Sequence, residues 1–118
     1  MRTADRSAAL PHVTADDRLA ALADALAGEP GVTPPQPGRR RFGSSALTVD
    51  GSIFAMAVSG ALVLKLPRDR VAALVADGAG SPFANGSGRP MREWVALGHD
   101  AAADLQLARE ALAFVGGR

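Results

Sequence analysis

The chain has 118 residues, with no cysteine, 13 basic and 12 acidic side chains, and a net charge of +1. A chain of this length is expected to form one domain, residues 1–118, whose core needs neither a metal nor a disulfide. The lack of cysteine excludes disulfide scaffolds, thiolate metal sites and cysteine nucleophiles and fits a reducing cytoplasm, while the small net charge gives no bulk electrostatic argument for nucleic-acid binding.

The first predicted helix follows residues 1–13, which show no periodicity and are expected to be loose. Thr14 and Asp17 occupy the two positions of a capping box. Three leucines recur on one face of this helix: Leu19, Leu22 and Leu26. Gly28 is predicted to end it in the left-handed conformation, and residues 28–38, rich in proline and glycine, are predicted to be a linker within the domain. No segment is long and apolar enough to suggest a membrane span.

Between residues 41 and 66 the pattern changes to that of strands, and Asp50-Gly51 predicts a two-residue hairpin turn. In that register Val49 faces Ser52 and Leu47 faces Phe54. The larger apolar residues of this hairpin then share one face: Leu47, Val49, Phe54 and Met56.

The next turn has two solutions. A two-residue loop at Ser59-Gly60 would make both sheet faces apolar, because the leucines at 62, 64 and 66 would point away from Phe54 and Met56. We favour a three-residue loop, Val58 to Gly60, with a left-handed Gly60 and a β-bulge, because it turns all of the large residues to one face.

The other face of this predicted sheet would carry Lys65, whose charge is expected to protect an edge, and four apolar residues: Ile53, Ala55, Ala57 and Val63. A face of small apolar residues without a covering helix can pair with a second copy or with a partner protein. It is therefore a candidate surface for homodimer formation or partner binding.

Helical spacing returns after Pro67, which suits the first turn, and Gly78 is the predicted cap. The residues predicted to face inward are Val71, Leu74 and Val75. A short edge strand is expected near Phe83, and residues 91–97 alternate as a strand. A last helix is predicted after Asp100 as its N-cap, with four residues inward: Leu105, Ala108, Leu112 and Val115. Gly116 and Gly117 are expected to end it.

The predicted order of elements is α-β-β-β-α-β(β)-α. Strands joined by tight turns form antiparallel sheets, and helices separated from them in sequence pack onto the sheet. The sequence therefore predicts an α+β, two-layer sandwich in which an antiparallel sheet carries helices mainly on one face.

Seven short motifs between residues 42 and 91 form an ordered set: Phe42-Gly43, Leu47, Asp50-Gly51, Phe54-Ala55, Leu62-Val63-Leu64-Lys65, Pro82-Phe83 and Gly88-Arg89-Pro90-Met91. With this set, residues 41–114 resemble the N-terminal domain of the TfoX/Sxy family, and the related YjbR family is the near alternative. The chain departs from the family pattern at the entrance to the first strand, where glycines and tyrosines are replaced: Ser44, Ser45, Ala46 and Thr48.

The resemblance implies a secretion-chaperone-like fold and no catalytic residues. Two-domain members of the TfoX/Sxy family regulate genes for DNA-uptake competence, whereas this chain resembles the N-terminal domain alone. The expectation that follows is a regulatory or adaptor domain that acts through contacts with a protein partner, in transcriptional regulation.

The contiguous run Arg39, Arg40 and Arg41 is a candidate grip for phosphate, because guanidinium groups fit phosphate oxygens. Arg89 and Arg92 would extend the same surface and make direct nucleic-acid binding the alternative function. The other interpretation of the run is a solvated strand end, because a grip on a nucleic-acid backbone needs several cations on one surface.

The sequence gives little support for a catalytic site or a metal site. Ser44 or Ser45 with His99 and Asp100 would be a nucleophile set, but no G-x-S-x-G turn is present, so a hydrolase ranks third. His12 and His99 have no ligand-like spacing, and no cofactor fingerprint occurs. Two further residues could anchor a partner or fill the core: Met91 and Trp94. The sequence thus predicts a non-enzymatic domain in the cytoplasm that needs neither a cofactor nor a membrane.

Overall fold

The computed structural model of the protein describes residues 14–34, 45–58, 60–84, 88, 90–98 and 101–117. Within these residues, helices α1 (Ala15–Ala25), α2 (Arg68–Ala76) and α3 (Asp104–Gly116) pack against one antiparallel sheet. A 3-10 turn, Ala101–Ala103, precedes α3. The sheet consists of β1 (Val32–Thr33), β2 (Ser45–Val49), β3 (Ser52–Val58), β4 (Ala61–Lys65), β5 (Gly80–Ala84) and β6 (Pro90–Leu97). The predicted α+β class is confirmed, and β1 is the element that the sequence did not predict.

The strands lie in the order β1-β2-β3-β4-β6-β5. Each neighbouring pair is antiparallel, so β4 and β5 run parallel to each other with β6 between them. Helix α2 makes the connection from β4 to β5 and packs on β6 and β5. This crossover places one face of α2 beside the edge strand of the sheet. None of the helices in the described part of the chain is both long and apolar enough to cross a membrane.

Helix α1 begins as its sequence predicts. The Thr14 hydroxyl accepts a hydrogen bond from the Asp17 amide at 3.0 Å, and the Asp17 carboxylate accepts one from the Thr14 amide at 3.1 Å. The predicted leucine face is buried as expected: Leu19, Leu22 and Leu26. The prediction for the helix end is wrong, because Gly28 does not have a positive φ and α1 already ends at Ala25.

The chain reverses after α1 in a turn from Glu29 to Val32, closed by a hydrogen bond from the Val32 amide to the Glu29 carbonyl. Pro30 and Gly31 occupy its centre, and Gly31 has a φ of +81°, as a type II turn requires. The turn starts strand β1, whose Val32 pairs with Val49. A Pro-Gly signal inside the predicted linker thus adds an edge strand to the sheet.

The hairpin at Asp50-Gly51 is confirmed. Val49 pairs with Ser52, and the two turn residues have φ values of +52° and +86°, as a type I′ turn requires. Since a Cβ at Gly51 would meet nothing within 4 Å, a substitution there acts through the backbone alone.

We expect Gly51→Ala to lower the free energy of unfolding by about 1–2 kcal/mol, the cost of a left-handed residue with a Cβ. Gly28→Ala is the matched control, because Gly28 has open space and no positive φ; it should be neutral or gain up to about 1 kcal/mol. Urea unfolding followed by tryptophan fluorescence measures both, and equal losses in the two variants would contradict the assigned turn.

The β2–β3 pairing contains a bulge that the sequence did not predict. Leu47 pairs with Ala55 and Thr48 with Ile53, so Phe54 has no opposite residue. The predicted pairing of Leu47 with Phe54 is therefore wrong. Beyond the bulge the alternation of β3 is inverted, and the predicted inward position of Met56 is also wrong, because Met56 pairs with Val63 on the other face.

The loop between β3 and β4 has two residues, because Val58 pairs with Ala61. The predicted three-residue loop and its bulge are wrong, although Gly60 does have a positive φ, +79°. Ser59 lies outside the described residues. The extra residue that brings the leucines of β4 onto the core face is inserted in β3 rather than at this turn.

The predicted self-association face on the outer side of the sheet is also wrong. Ala55 and Ala57 point into the core opposite Leu64 and Leu62 and are at most 3% exposed. Val63 is fully buried, and of the four predicted residues Ile53 alone is exposed, at 40%. These residues therefore form no exposed face. Lys65 protects no edge, because β4 lies inside the sheet between β3 and β6.

Helix α2 ends as predicted at Gly78, which has a φ of +78°. The Ala79 amide bonds to the Leu74 carbonyl and the Gly78 amide to the Val75 carbonyl, the paired bonds of a Schellman motif. Val71 and Leu74 are buried and Val75 is half-buried.

In α3 the buried residues are Asp104, Leu107, Ala108, Ala111 and Leu112. The predicted inward position of Leu105 is wrong, since this residue is 38% exposed. The predicted N-cap Asp100 lies outside the described residues. The helix ends at the left-handed Gly117, as its sequence predicts.

A buried ion pair fixes the orientation of α3. Arg18 Nη2 and Nε donate to the Asp104 carboxylate at 2.6 and 2.8 Å, and Nη1 donates to the Gly98 carbonyl at 2.8 Å. Both side chains are at most 10% exposed. The pair joins α1, the end of β6 and the start of α3. Because Asp104 points inward to reach Arg18, the residues of α3 on the same side as Asp104 face the core, and the next residue, Leu105, faces solvent.

Candidate binding pocket beside helix α2

A cleft of about 390 Å³ lies between α2 and the strands β5 and β6. It is open to solvent on one side. Helix α2 contributes one stripe of side chains at helical spacing: Arg68, Val71, Ala72, Val75 and Ala76. The strands contribute five more: Pro82, Phe83, Met91, Arg92 and Trp94. We call this cleft the α2 pocket.

The irregular pairing of β5 with β6 explains why both Met91 and Trp94 reach the α2 pocket. Residues three apart on a regular strand point to opposite faces. Here the pairing passes from Pro82↔Val95 to Ala84↔Pro90, two residues along β5 and five along β6. The β5–β6 ladder is therefore irregular over Met91 to Trp94, while Trp94 keeps its regular pairing with Lys65 on the β4 side.

A second recess adjoins the α2 pocket and is more polar. It is lined by Arg68, Met91, Arg92, Glu93 and Trp94. Arg68 and Arg92 are exposed and line both cavities. Among the residues that the structure describes, no ion pair involves either arginine. We call the junction of the two cavities, which Arg68 and Arg92 line, the mouth of the α2 pocket. The pocket thus combines an apolar lining with two exposed arginines that, among the described residues, have no ion-pair partner.

Lys65 adds a third cation beside the aromatic lining. Its ammonium lies 5.6 Å from the centroid of the Trp94 ring, within the range of a cation–π contact. The pairing of Lys65 with Trp94 across β4 and β6 places it there. Glu93 is the acidic residue among those that line the recess, so the charge around the mouth is positive on balance.

The opposite side of α2 is fixed to α3. Arg70 donates two hydrogen bonds to the Glu110 carboxylate, at 2.8 and 3.2 Å. These hydrogen bonds raise the pKa of Arg70 above its ordinary value, and desolvation by burial has a smaller, opposing effect. The ion pair engages Arg70 outside the lining of the α2 pocket, whereas Arg68 lines it.

The side chains of the α2 pocket offer binding and no evident chemistry. None of its ten lining residues carries a hydroxyl, imidazole or carboxylate. Within the described ranges no group of three or more histidine, aspartate or glutamate side chains could hold a metal ion. A cleft with an apolar floor and a few convergent polar groups is typical of a binding site.

The structure describes few of the residues predicted to contact nucleic acid or to act as nucleophiles. Arg92 lines the α2 pocket, whereas Arg39, Arg40, Arg41 and Arg89 lie outside the described residues, so their convergence on one surface stays a prediction. Ser45 is half-buried on β2. The other members of the nucleophile set also lie outside: Ser44, His99 and Asp100.

In comparisons with known proteins, no family model, no curated protein and no solved structure matches this chain.

Met91 and Trp94 were expected either to anchor a partner or to fill the core, and both are half-buried in the α2 pocket. Sequence reasoning missed Arg68 and the alanines of α2. Their signal was present, since Arg68, Ala72 and Ala76 recur every four residues on the side of α2 next to its buried stripe. Small residues at that spacing leave room for a cleft between a helix and a strand.

Proposed function

We propose that the protein is a non-enzymatic regulatory or adaptor domain that binds a protein partner through the α2 pocket. One observation carries this proposal: an open apolar cleft contains half-exposed Trp94 and Met91 and has two arginines without ion-pair partners, among the described residues, at its mouth. Tryptophan, methionine and arginine are enriched in protein interfaces, and pockets that take an apolar anchor carry most of the binding energy.

The charge at the mouth decides the chemistry of the partner. An apolar anchor side chain would fill the cleft, and acidic residues beside it would meet Arg68 and Arg92. Arginine binds carboxylates through two parallel hydrogen bonds, which adds geometric specificity to the attraction. The resemblance to the N-terminal domain of the TfoX/Sxy family agrees with a regulatory role and stays part of this proposal.

The proposal is tested with a short fluorescein-labelled peptide in which leucines and one phenylalanine alternate with glutamates. Its fluorescence anisotropy should rise and saturate with added protein, and the same peptide with lysines in place of glutamates should bind at least about tenfold more weakly, which corresponds to about 1.4 kcal/mol.

Two substitutions on α2 form a matched pair for this test. Ala72→Leu places a larger side chain in the α2 pocket and should weaken peptide binding about tenfold or more, whereas Ala73→Leu, on the same helix and equally exposed but outside the lining, should not. Leucine is a good helix former, so both variants should fold. Equal affinities in the two variants would refute the α2 pocket as the binding site.

The same anisotropy experiment tests the alternative function, direct binding of nucleic acid. Labelled duplex DNA in place of the peptide should show no binding at low salt. Binding of DNA that weakens steeply with salt, falls in Arg92→Gln and is unchanged in Ala72→Leu would favour a phosphate grip over the partner site.

A further inference from the structure

We propose that the α2 pocket also binds a small amphipathic anion, a medium-chain carboxylate or an aryl carboxylate, which competes with the protein partner for the cleft. This inference rests on the proposed function in one respect, since the regulation that it adds acts on the same pocket. The binding of the anion itself depends only on the geometry of the α2 pocket and its polar recess.

The size of the cleft sets the size of the ligand. Pockets for small molecules usually measure about 300–1,000 Å³, and the α2 pocket, at about 390 Å³, lies near the lower end of that range. It suits an alkyl chain of medium length or a ring system of one or two rings. Its open side exposes part of any ligand to water, which favours an amphipathic molecule over a wholly apolar one.

The apolar part of the ligand has a defined place. Val71 and Val75 from α2 and Pro82 and Phe83 from β5 form the walls, with the Trp94 ring beside them. Burial of apolar surface against these side chains contributes roughly 25 cal/mol for each Å² removed from water. A chain or ring that lies between α2 and β5 would make these contacts.

The charged end of the ligand has a place as well. The polar recess continues from the α2 pocket and shares four residues with it: Arg68, Met91, Arg92 and Trp94. A carboxylate at this junction would lie in a region lined by two exposed arginines that have no ion-pair partner in the described residues. Lys65, over the Trp94 ring, adds to the positive potential, and Glu93, which also lines the recess, opposes it. The balance favours an anion over a cation.

The experiment uses decanoate as the probe and Trp94 as the reporter. The chain has one tryptophan and no tyrosine, so its near-ultraviolet emission comes from a side chain in the α2 pocket. Decanoate, kept below its aggregation concentration, should change this emission in a saturable way. Decyltrimethylammonium, with the same chain length and the opposite charge, should bind at least about tenfold more weakly.

The arginines are tested against a matched control. The double variant Arg68→Gln/Arg92→Gln should weaken decanoate binding about tenfold or more, while Arg109→Gln, which removes an exposed arginine of α3 from its ion pair with Glu29, should stay within about twofold of the unmodified protein. Ala72→Leu should also weaken binding and Ala73→Leu should not. Far-ultraviolet circular dichroism confirms that each variant is folded.

Several results would overturn the inference: no saturable response to decanoate, equal affinity for the two amphiphiles, or a response that the arginine substitutions leave unchanged. Anionic lipid is a second source of the same chemistry. Co-sedimentation with phosphatidylglycerol vesicles and no response to free decanoate would also refute a soluble ligand.

Failure of this inference and failure of the proposed function give different results. If the acidic peptide binds and decanoate does not, the ligand is rejected and the partner site stands. If decanoate binds and the peptide does not, the partner site is rejected and the ligand site stands. If both bind, decanoate should displace the labelled peptide, and simultaneous binding would refute the competition.

Discussion

An Arg18→Ala variant is expected to lose about 3–5 kcal/mol of its free energy of unfolding. The substitution removes one member of a buried ion pair and leaves the Asp104 carboxylate, on a side chain that is 10% exposed, without its two guanidinium hydrogen bonds. Removal of one partner from a buried pair has a cost of this size, because the remaining charge stays buried and uncompensated. It also removes the hydrogen bond from Arg18 to the Gly98 carbonyl. Urea unfolding followed by circular dichroism measures the loss.

Two further variants separate the effect of burial from the effect of charge. Arg109→Ala breaks the ion pair with Glu29, whose side chains are 51% and 38% exposed, and it should cost no more than about 1 kcal/mol. The double variant Arg18→Met/Asp104→Leu removes both buried charges and should recover much of the loss, because apolar replacements of buried pairs are often neutral or stabilising. A loss for Arg18→Ala no greater than that for Arg109→Ala would contradict the buried pair.

The second large effect is expected at the bulge of β3. Phe54→Ala should destabilise the protein by about 3–5 kcal/mol, the usual cost of truncating a buried phenylalanine. Phe54 is fully buried and has no opposite residue on β2, so no cross-strand partner on that side could fill the space. Urea unfolding by tryptophan fluorescence gives the value, and failure to fold would agree with a loss at the upper end.

Ile53→Ala is the matched control, because Ile53 is the next residue on β3, pairs with Thr48 and is 40% exposed. It should lose about 1 kcal/mol or less. In a strand without the bulge, Leu47 would pair with Phe54 and Ala55 and Ala57 would be on the outer face. Similar losses at positions 53 and 54 would contradict the bulge as placed here.

The local elements of this fold could be predicted because their signals are short in sequence. The capping box of Thr14 and Asp17 and the type I′ turn at Asp50-Gly51 each depend on two nearby residues. Few other residue types adopt the backbone conformations that these two motifs require. The same holds for Gly78 at the end of α2.

The bulge could not be placed from the sequence, although the conflict that it resolves could be recognised. With two-residue turns at both hairpins, the leucines of β4 and Phe54 cannot share a face without one extra residue. The sequence shows that one extra residue must be inserted into a strand or a turn of these hairpins. It favours the turn at Gly60, because glycine readily adopts a positive φ. In the structure Gly60 does adopt it, in a two-residue turn, and the insertion occurs where Phe54 enters the core. That choice depends on packing against α1 and α3, which no local pattern reports.

Contacts between residues far apart in the sequence were the hardest to predict from it. Arg18 stands within the apolar stripe of α1, which indicates a buried partner, but that partner is 86 residues away. The α2 pocket depends on the irregular ladder between β5 and β6, which brings Met91 and Trp94 to one cavity. Both features come from the arrangement of whole elements rather than from any motif.

The ion pair between α1 and α3 has a consequence for synthesis on the ribosome. The N-terminal part of a chain leaves the ribosome first, at about 5–20 residues per second, and domains generally fold as units. The emerging α1 and the meander β2–β3–β4 can pair early, yet the residues of α3 that cover them, from Leu107 to Leu112, arrive last together with the carboxylate that neutralises Arg18. Until then the nascent sheet lacks the helix that covers it, and the Asp104 carboxylate that pairs with Arg18 has not yet been made. The buried pair can therefore form only after α3 has been synthesised, which makes it a late contact of the fold.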